Sequence, residues 1–337
     1  MRMARQIFEH HPTIGYRFIP GLRARMPHAT GGYLIRTNNL GFRCDHDVTA
    51  ARPAGGKRVL LFGDSFTAGD LVSNGSRYGD LLERAIPGVQ VLNFGLPGTG
   101  TDQHYLAWRE YGAGLEHDLL VISILVENIR RVASRARTFE NERGEPLVYA
   151  KPYYELADGE LVLRNVPVPK KGLREDELDE ETRGAVDRGG RFERLRGIVN
   201  QLGLRDLAQK VTRYQPLPEY DRADSPPWML MRAILERWIA EHRGPVLVMP
   251  IPLYQYVEET ASPAEYRARF GELAAASGCS LHDPLDDLQR HTSEERRAFR
   301  FENDPHPTAA GHAALAASLA PVVESLLELP VSAERAR

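Results

Sequence analysis

The sequence predicts an α/β fold, a parallel sheet sandwiched between helical layers, and three observations carry that expectation. Short apolar runs recur at 58–63, 89–94, 118–126, 245–251 and 279–283. Between them lie segments with apolar residues at helical spacing, the alternation that a parallel sheet with crossover helices requires. The first run, in RVLLFGDSFTAG from Arg58, stops abruptly at Gly63, Asp64 and Ser65. A hydroxyl therefore stands at the C-terminal end of a buried strand, where open α/β sheets put their chemistry.

The elements follow in order. Residues 1–57 are rich in Gly, Pro, Arg and Asn and contain short extended pieces such as GYRFIP and GYLIRTNNLGFR; they are expected to form an irregular or β-containing cover. After strand 58–63, residues Tyr78, Leu81, Leu82, Ala85 and Ile86 recur at helical spacing and predict one buried stripe. Strand 89–94 leads to a helix starting at Thr101, and strand 118–126 follows. Ser225-Pro226 and Ser262-Pro263 read as cap and first-turn pairs that open helices, the second reinforced by Glu265. The last helix is expected to begin near Thr308. Residues 58–129 and 245–330 thus form the main domain, interrupted by an insertion at 130–244. The insertion holds an expected hairpin around Asp158-Gly159, the charged run KKGLREDELDEETRG, read as a mobile surface loop, and helical segments near 192–212 and 226–242. Two roles for it stay open: a lid or substrate-binding subdomain, or a solvated decoration or oligomer contact.

Ser65 alone is weak evidence, because Ser and Gly commonly punctuate strand ends. The far end of the chain changes that. There NDPHPTAAGH, residues 303–312, sets Asp304 two positions before His306, just ahead of an alanine-rich helix. An alkyl hydroxyl is a poor nucleophile at neutral pH. It needs an imidazole to take its proton and a carboxylate to hold that imidazole in the right tautomer, and His306 and Asp304 supply both. His312, inside the helix, reads as a packed or solvated histidine. His104, in TDQHYLAW, reads as a helix-surface residue, with pocket lining as the alternative. Asp283 follows the fifth strand and competes with Asp304 as the orienting acid, whereas Asp64 is expected to brace the turn.

Four ordered blocks, GDSFTAG, VLNFGLPGTGTDQ, DLLVISILVEN and DPHPTAAGH, resemble those of the SGNH (GDSL-type) esterase and acylhydrolase superfamily, over about residues 58 to 320. The resemblance implies a three-layer α/β/α sandwich with a flavodoxin-like sheet. It also implies Ser65 as nucleophile, His306 as base and Asp304 as its orienting acid. The backbone N–H groups of Ser65 and Gly98 and the side-chain amide of Asn128 would form the oxyanion hole. Taken alone, Gly98 equally fits a flexible strand-to-helix loop, and Asn128 a turn cap. Two blocks depart from the usual pattern. The third normally reads Gly-X-Asn-Asp and here reads Val126-Glu127-Asn128-Ile129. The last is often Asp-X-X-His, yet Asn303 stands three before His306 and Asp304 only two. The closer spacing is similar to that of alginate-type O-acetyltransferases and related polysaccharide-modifying members.

The activity implied is serine-dependent hydrolysis of an acyl ester, on an O-acylated carbohydrate or small metabolite, through an acyl-enzyme and without cofactor or metal. Two alternatives remain: an O-acyltransferase using the same residues with a hydroxyl acceptor, and a non-catalytic sugar- or acyl-binding protein.

Composition narrows the partners. The 337 residues, 42% hydrophobic and 26% charged, can bury a full core and carry an added subdomain. With a net charge of −3 and no basic stripe, nucleic acid is not expected. GLPGTG lacks the lysine of a phosphate-binding loop, and neither a Gly-X-Gly-X-X-Gly fingerprint nor an HExxH pattern occurs. His10-His11 is too short a tract to argue for metal. Cys44 and Cys279 lack metal-ligand spacing and fit a reducing compartment, or simply the core. The N-terminus has no apolar signal region, and no apolar stretch approaches the ~20 residues of a membrane helix, so a cytoplasmic protein of undetermined oligomeric state is expected.

Overall fold

The computed structural model describes residues 7–28, 31–140, 145–184, 186–187 and 215–329. The N-terminal cover is built of two antiparallel hairpins, β1 (Phe8–His11) with β2 (Gly15–Phe18) and β3 (Arg23–Met26) with β4 (Tyr33–Arg36). Neither joins the central sheet. The first hairpin is pinned from outside itself: Gln103 Nε2 donates to the Ile14 carbonyl at 2.8 Å, and the Val168 N–H donates to the Pro12 carbonyl at 2.7 Å.

The central sheet uses all five expected strands. After β5 (Lys57–Phe62), β6 (Val89–Asn93) and β7 (Leu119–Leu125) come the inserted strands β8 (Ala136–Glu140), β9 (Pro146–Ala150), β10 (Tyr153–Ala157), β11 (Glu160–Arg164) and β12 (Val186–Asp187). The sheet then resumes with β13 (Val246–Ile251) and β14 (Ser280–Leu281). Its order is β14-β13-β7-β5-β6 and every pairing is parallel, with Val59 opposite Leu119, Lys57 opposite Val89 and Val246 opposite Leu120. This is the flavodoxin-like order, 2-1-3-4-5 in the sheet's own strand sequence. The fifth strand is shorter than its apolar run suggests, because only Leu247 and Val248 offer it partners.

These strands read as unbroken apolar runs because both faces are covered. Successive residues of β5 show it. Leu61 packs beside Gly79 of the helix Tyr78–Ala85, whereas the Phe62 ring meets Trp238 of the helix Pro226–Glu241 at 5.7 Å. On the first face, Tyr78–Ala85 packs against the helix Ala309–Leu326, and on the second Pro226–Glu241 packs against Thr101–Ala107 and Ala264–Ser277. Tyr78, Leu82 and Ile86 of the expected stripe are buried, with Leu81 and Ala85 partly so. Ala309–Leu326 is long and apolar enough, by length and composition, to cross a membrane, which amends the expectation that no stretch comes near that. It packs as a core helix, burying Leu315, Leu319 and Val323 together with His312 and Glu324.

The insertion begins with a three-stranded sheet, β12-β8-β9, followed by the β10–β11 hairpin. That hairpin turns at Asp158 and Gly159, both with positive φ, as a two-residue turn of this kind requires. The charged run is not the bare loop its composition suggests. Leu173 bridges to Val148, Leu178 is buried with Ala136 and Val148, and a short helix, Glu180–Gly184, follows. Two apolar residues five apart anchor an otherwise solvated segment. The helices expected near 192–212 lie outside the described residues. Both cysteines are free.

Candidate active site

The turn that presents Ser65 is built by close approach. A Cβ on Gly63 would lie 2.1 Å from Thr67 Oγ1 and 2.9 Å from the Ser123 carbonyl oxygen, so only glycine fits between β5 and the single-turn helix Ser65–Ala68. Asp64 braces the turn as expected. Its Oδ1 accepts from the Phe66 N–H at 3.0 Å, and its Oδ2 accepts from Arg131 Nη1 at 2.6 Å. The Thr67 hydroxyl is bonded to the Tyr78 hydroxyl at 2.8 Å, which in turn donates to Ser123 Oγ at 2.9 Å. Ser65 is 4% exposed. Its N–H occupies the first helical position, where no intrahelical acceptor exists.

His306 arrives on a separate two-stranded ribbon, β15 (Arg300–Phe301) with β16 (Asp304–Pro307). His306 Nε2 lies 2.8 Å from Ser65 Oγ, and His306 Nδ1 lies 2.5 Å from Asp304 Oδ1. The same carboxylate oxygen accepts from the His306 backbone N–H at 2.9 Å. The two-residue spacing is therefore a local turn in which Asp304 grips both the backbone and the ring of His306. Burial alone would lower the imidazole pKa, but the hydrogen bond to Asp304 and the charges of Asp70, Asp304 and Asp64 outweigh it and hold His306 above its ordinary value. Burial would raise the Asp304 carboxyl, and the hydrogen bonds and charge of His306 hold it below the usual range instead.

Gly98 sits in the loop after β6 with φ +76°. A Cβ there would lie 2.7 Å from Arg137 Cζ and 3.0 Å from the Tyr16 hydroxyl. Tyr16 donates to the Pro97 carbonyl at 2.5 Å and Arg137 donates to the Gly98 carbonyl. Among the described residues no hydrogen bond engages the Gly98 N–H. Asn128 opens the helix Asn128–Val132 directly after β7, and it is fully buried with neither amide atom partnered among the described residues. Such a group costs about 1–3 kcal/mol when it stays unpaired, which marks the position as one awaiting an oxygen or a donor.

A pocket of about 190 Å³ opens at Ser65 and His306. Its walls come from three parts of the chain: Phe8 of β1, Arg137 and Phe139 of β8, and Leu125, Glu127 and Leu253 at or just beyond the C-terminal ends of β7 and β13. Tyr16 joins the first two, its ring meeting Phe8 at 5.4 Å and Phe139 at 5.2 Å. Arg131 also lines the pocket, and its backbone carbonyl accepts from Lys151 Nζ at 3.1 Å. Lys151, nearly buried, pairs with the fully buried Asp102. A chain of charges thus runs from Asp64 through Arg131 and Lys151 to Asp102. Sequence reading missed Arg131, Lys151 and Arg137, whose partners are remote in the chain, and Asp70, which no local pattern marks.

The remaining candidates are engaged elsewhere. His104 is not on a helix surface: it is buried and bonded to Thr99 Oγ1 at 2.9 Å, and burial lowers its pKa to about 3. The reason is that the insertion and Pro226–Glu241 cover the whole helix Thr101–Ala107, all seven residues of which are buried. His312 is buried and accepts from the Tyr78 N–H at 3.3 Å. Asp283 accepts from the Tyr266 hydroxyl at 2.9 Å and from Arg267 Nε at 2.7 Å. His10 is bonded to the Val168 carbonyl and His11 to Tyr111. Among the described residues no group of three or more His, Cys, Asp or Glu is placed to hold a metal ion.

The chain is similar to several solved structures. One is a lipolytic protein of the G-D-S-L family from Veillonella parvula, at 11% identity and TM-score 0.43 over 79% of this chain and 98% of that one. Another is a lipase/acylhydrolase from Enterococcus faecalis, at 14% identity and TM-score 0.42 over 80% and 96%. A third is a variant of an acetyl xylan esterase from Geobacillus stearothermophilus, at 14% identity and TM-score 0.42 over 82% and 97%. No curated protein sequence matches. The GDSL-like Lipase/Acylhydrolase family matches residues 61–314, a span that takes in Ser65, Gly98, Asn128, Asp304 and His306, and with three quarters of its length inside that match the chain belongs to this esterase family.

Proposed function

We propose that the protein hydrolyses a short-chain O-acyl ester of a carbohydrate or small metabolite, with Ser65 as nucleophile, His306 as general base and acid, and Asp304 as the residue that orients His306. The observation that carries this reading is the unbroken chain of contacts from Ser65 Oγ to His306 Nε2 at 2.8 Å and from His306 Nδ1 to Asp304 Oδ1 at 2.5 Å, at the mouth of a pocket. Ser65 Oγ attacks the ester carbonyl as His306 Nε2 takes its proton. The imidazolium so formed is stabilised by Asp304. Collapse of the tetrahedral adduct expels the alcohol, which receives that proton. Water, deprotonated by the same nitrogen, then releases the acid and restores Ser65.

The developing oxyanion is held by the N–H groups of Ser65 and Gly98 and by the Asn128 amide. The open first-turn N–H of Ser65, the unengaged N–H of Gly98 and the unpartnered amide support this assignment; one such donor is worth roughly 2.7–4 kcal/mol in the transition state. The small pocket volume favours a short acyl group. Because Phe8, Arg137 and Phe139 form part of the wall, we assign substrate selection to the N-terminal cover and the insertion. A protein that only bound its ligand would have no use for a histidine held between a serine and a carboxylate.

The test is covalent. A fluorophosphonate should label the native protein, and Ser65→Ala should abolish labelling and lower the hydrolysis of phenyl acetate by roughly 10⁴-fold or more. Full activity in Ser65→Ala would reject the assignment.

A further inference from the structure

The alcohol half of an ester has to sit beside His306, because Nε2 returns its proton to the departing oxygen. Asp70 faces that side. It lines the same pocket as Ser65 and His306, and its backbone N–H donates to the Ser65 carbonyl at 3.0 Å, one residue past the Gly69 cap of the nucleophile helix. The loop is fixed from behind by Arg43, a fully buried side chain that donates to the Gly69 carbonyl at 2.6 Å and to the Val72 carbonyl at 2.8 Å. Among the described residues no side-chain or backbone donor bonds the Asp70 carboxylate, while its charge acts through space on His306. The other carboxylate on the wall, Glu127, adjoins Asn128 and so belongs to the oxyanion side. A carboxylate in a half-enclosed pocket without a protein donor is a costly arrangement unless something else supplies the proton.

We propose that Asp70 is a specificity-determining residue that accepts a hydrogen bond from a free hydroxyl on the alcohol portion of the ester, so that polyhydroxylated leaving groups are preferred over plain alkyl or aryl ones. This rests on the hydrolase reading above and specifies its alcohol. A site built to bond a hydroxyl discriminates against an analogue that lacks one, because the buried acceptor is then left unpaired.

The experiment compares kcat/KM for a mono-O-acetylated methyl glucoside, whose other hydroxyls are free, with that for phenyl acetate, in the parent, Asp70→Asn and Asp70→Ala. Asp70→Ala is expected to lose about 10- to 100-fold more on the glucoside ester than on phenyl acetate, whose own change reads the loss of the Asp70 charge beside His306, with Asp70→Asn between. The ratio of the two rates within one preparation is independent of the folded fraction. Equal losses on both esters, or no loss on either, would overturn the role of Asp70 while leaving the hydrolase reading intact. A parent protein that cleaves neither ester overturns both.

Discussion

Ser65 and His306 are held by different kinds of structure. Ser65 is rooted in the central sheet: its turn is packed against Ser123 and bonded through Thr67 and Tyr78, and little of the residue reaches solvent. His306 and Asp304 ride on a two-stranded ribbon outside that sheet, and the Asp304 side chain is 38% exposed. The pocket wall is completed by the N-terminal cover, whose Ile14, Phe18 and Ile35 join the main apolar core, and by the insertion, which is tied to the main domain by the buried Lys151–Asp102 pair. The contrast teaches that one site joins three sources of order, and that a substitution should report which source it touches.

The largest expected effect separates chemistry from stability. Asp304→Asn should lower kcat by about 10³–10⁴-fold, because the imidazole loses the partner that fixes its tautomer. Its thermal midpoint should stay close to the parent's, since the ribbon adds little to the core. A parallel loss of both would show that the ribbon is structural.

Next in size is the insertion. Lys151→Met leaves Asp102 buried without its partner and should cost about 3–5 kcal/mol in chemical denaturation. Combining it with Asp102→Leu should recover most of that. A double variant no better than the single one would place the stabilisation elsewhere.

The smallest effects are set by protons. His306 must be neutral to accept one, and its pKa is raised, so kcat/KM should climb with pH to a midpoint above the ordinary histidine value of about 6.5. His104 and His312 behave oppositely. Burial lowers each to about 3, so both stay neutral in the folded state while the unfolded chain takes up protons below about 6.5. Their contribution is complete above that pH and is lost as pH falls toward 3. Urea midpoints between pH 7 and 5 check this. An unchanged slope in His312→Gln would remove His312 from the account.

What the sequence disclosed follows the same division. The strands were legible because burial on both faces leaves only apolar side chains to read. Ser65, Asp304 and His306 were legible because each lies in a short pattern, and the two-residue spacing of the last pair is itself a local turn. The link from Arg131 to Asp64 spans 67 residues and that from Lys151 to Asp102 spans 49, and no periodicity announces such pairs. His104 was misjudged for a related reason. A polar residue on a short helix looks solvated until a remote insertion is laid over it.

The hydroxyl of Tyr16 and the guanidinium of Arg137 both grip the loop around Gly98, one from the N-terminal cover and the other from the insertion. The shape of that loop is consequently imposed from the periphery. Trimming the chain to its hydrolase layer would keep Ser65, Asp304 and His306 yet release the backbone that we propose meets the negative oxygen. Catalytic competence and minimal size are therefore opposed in this protein.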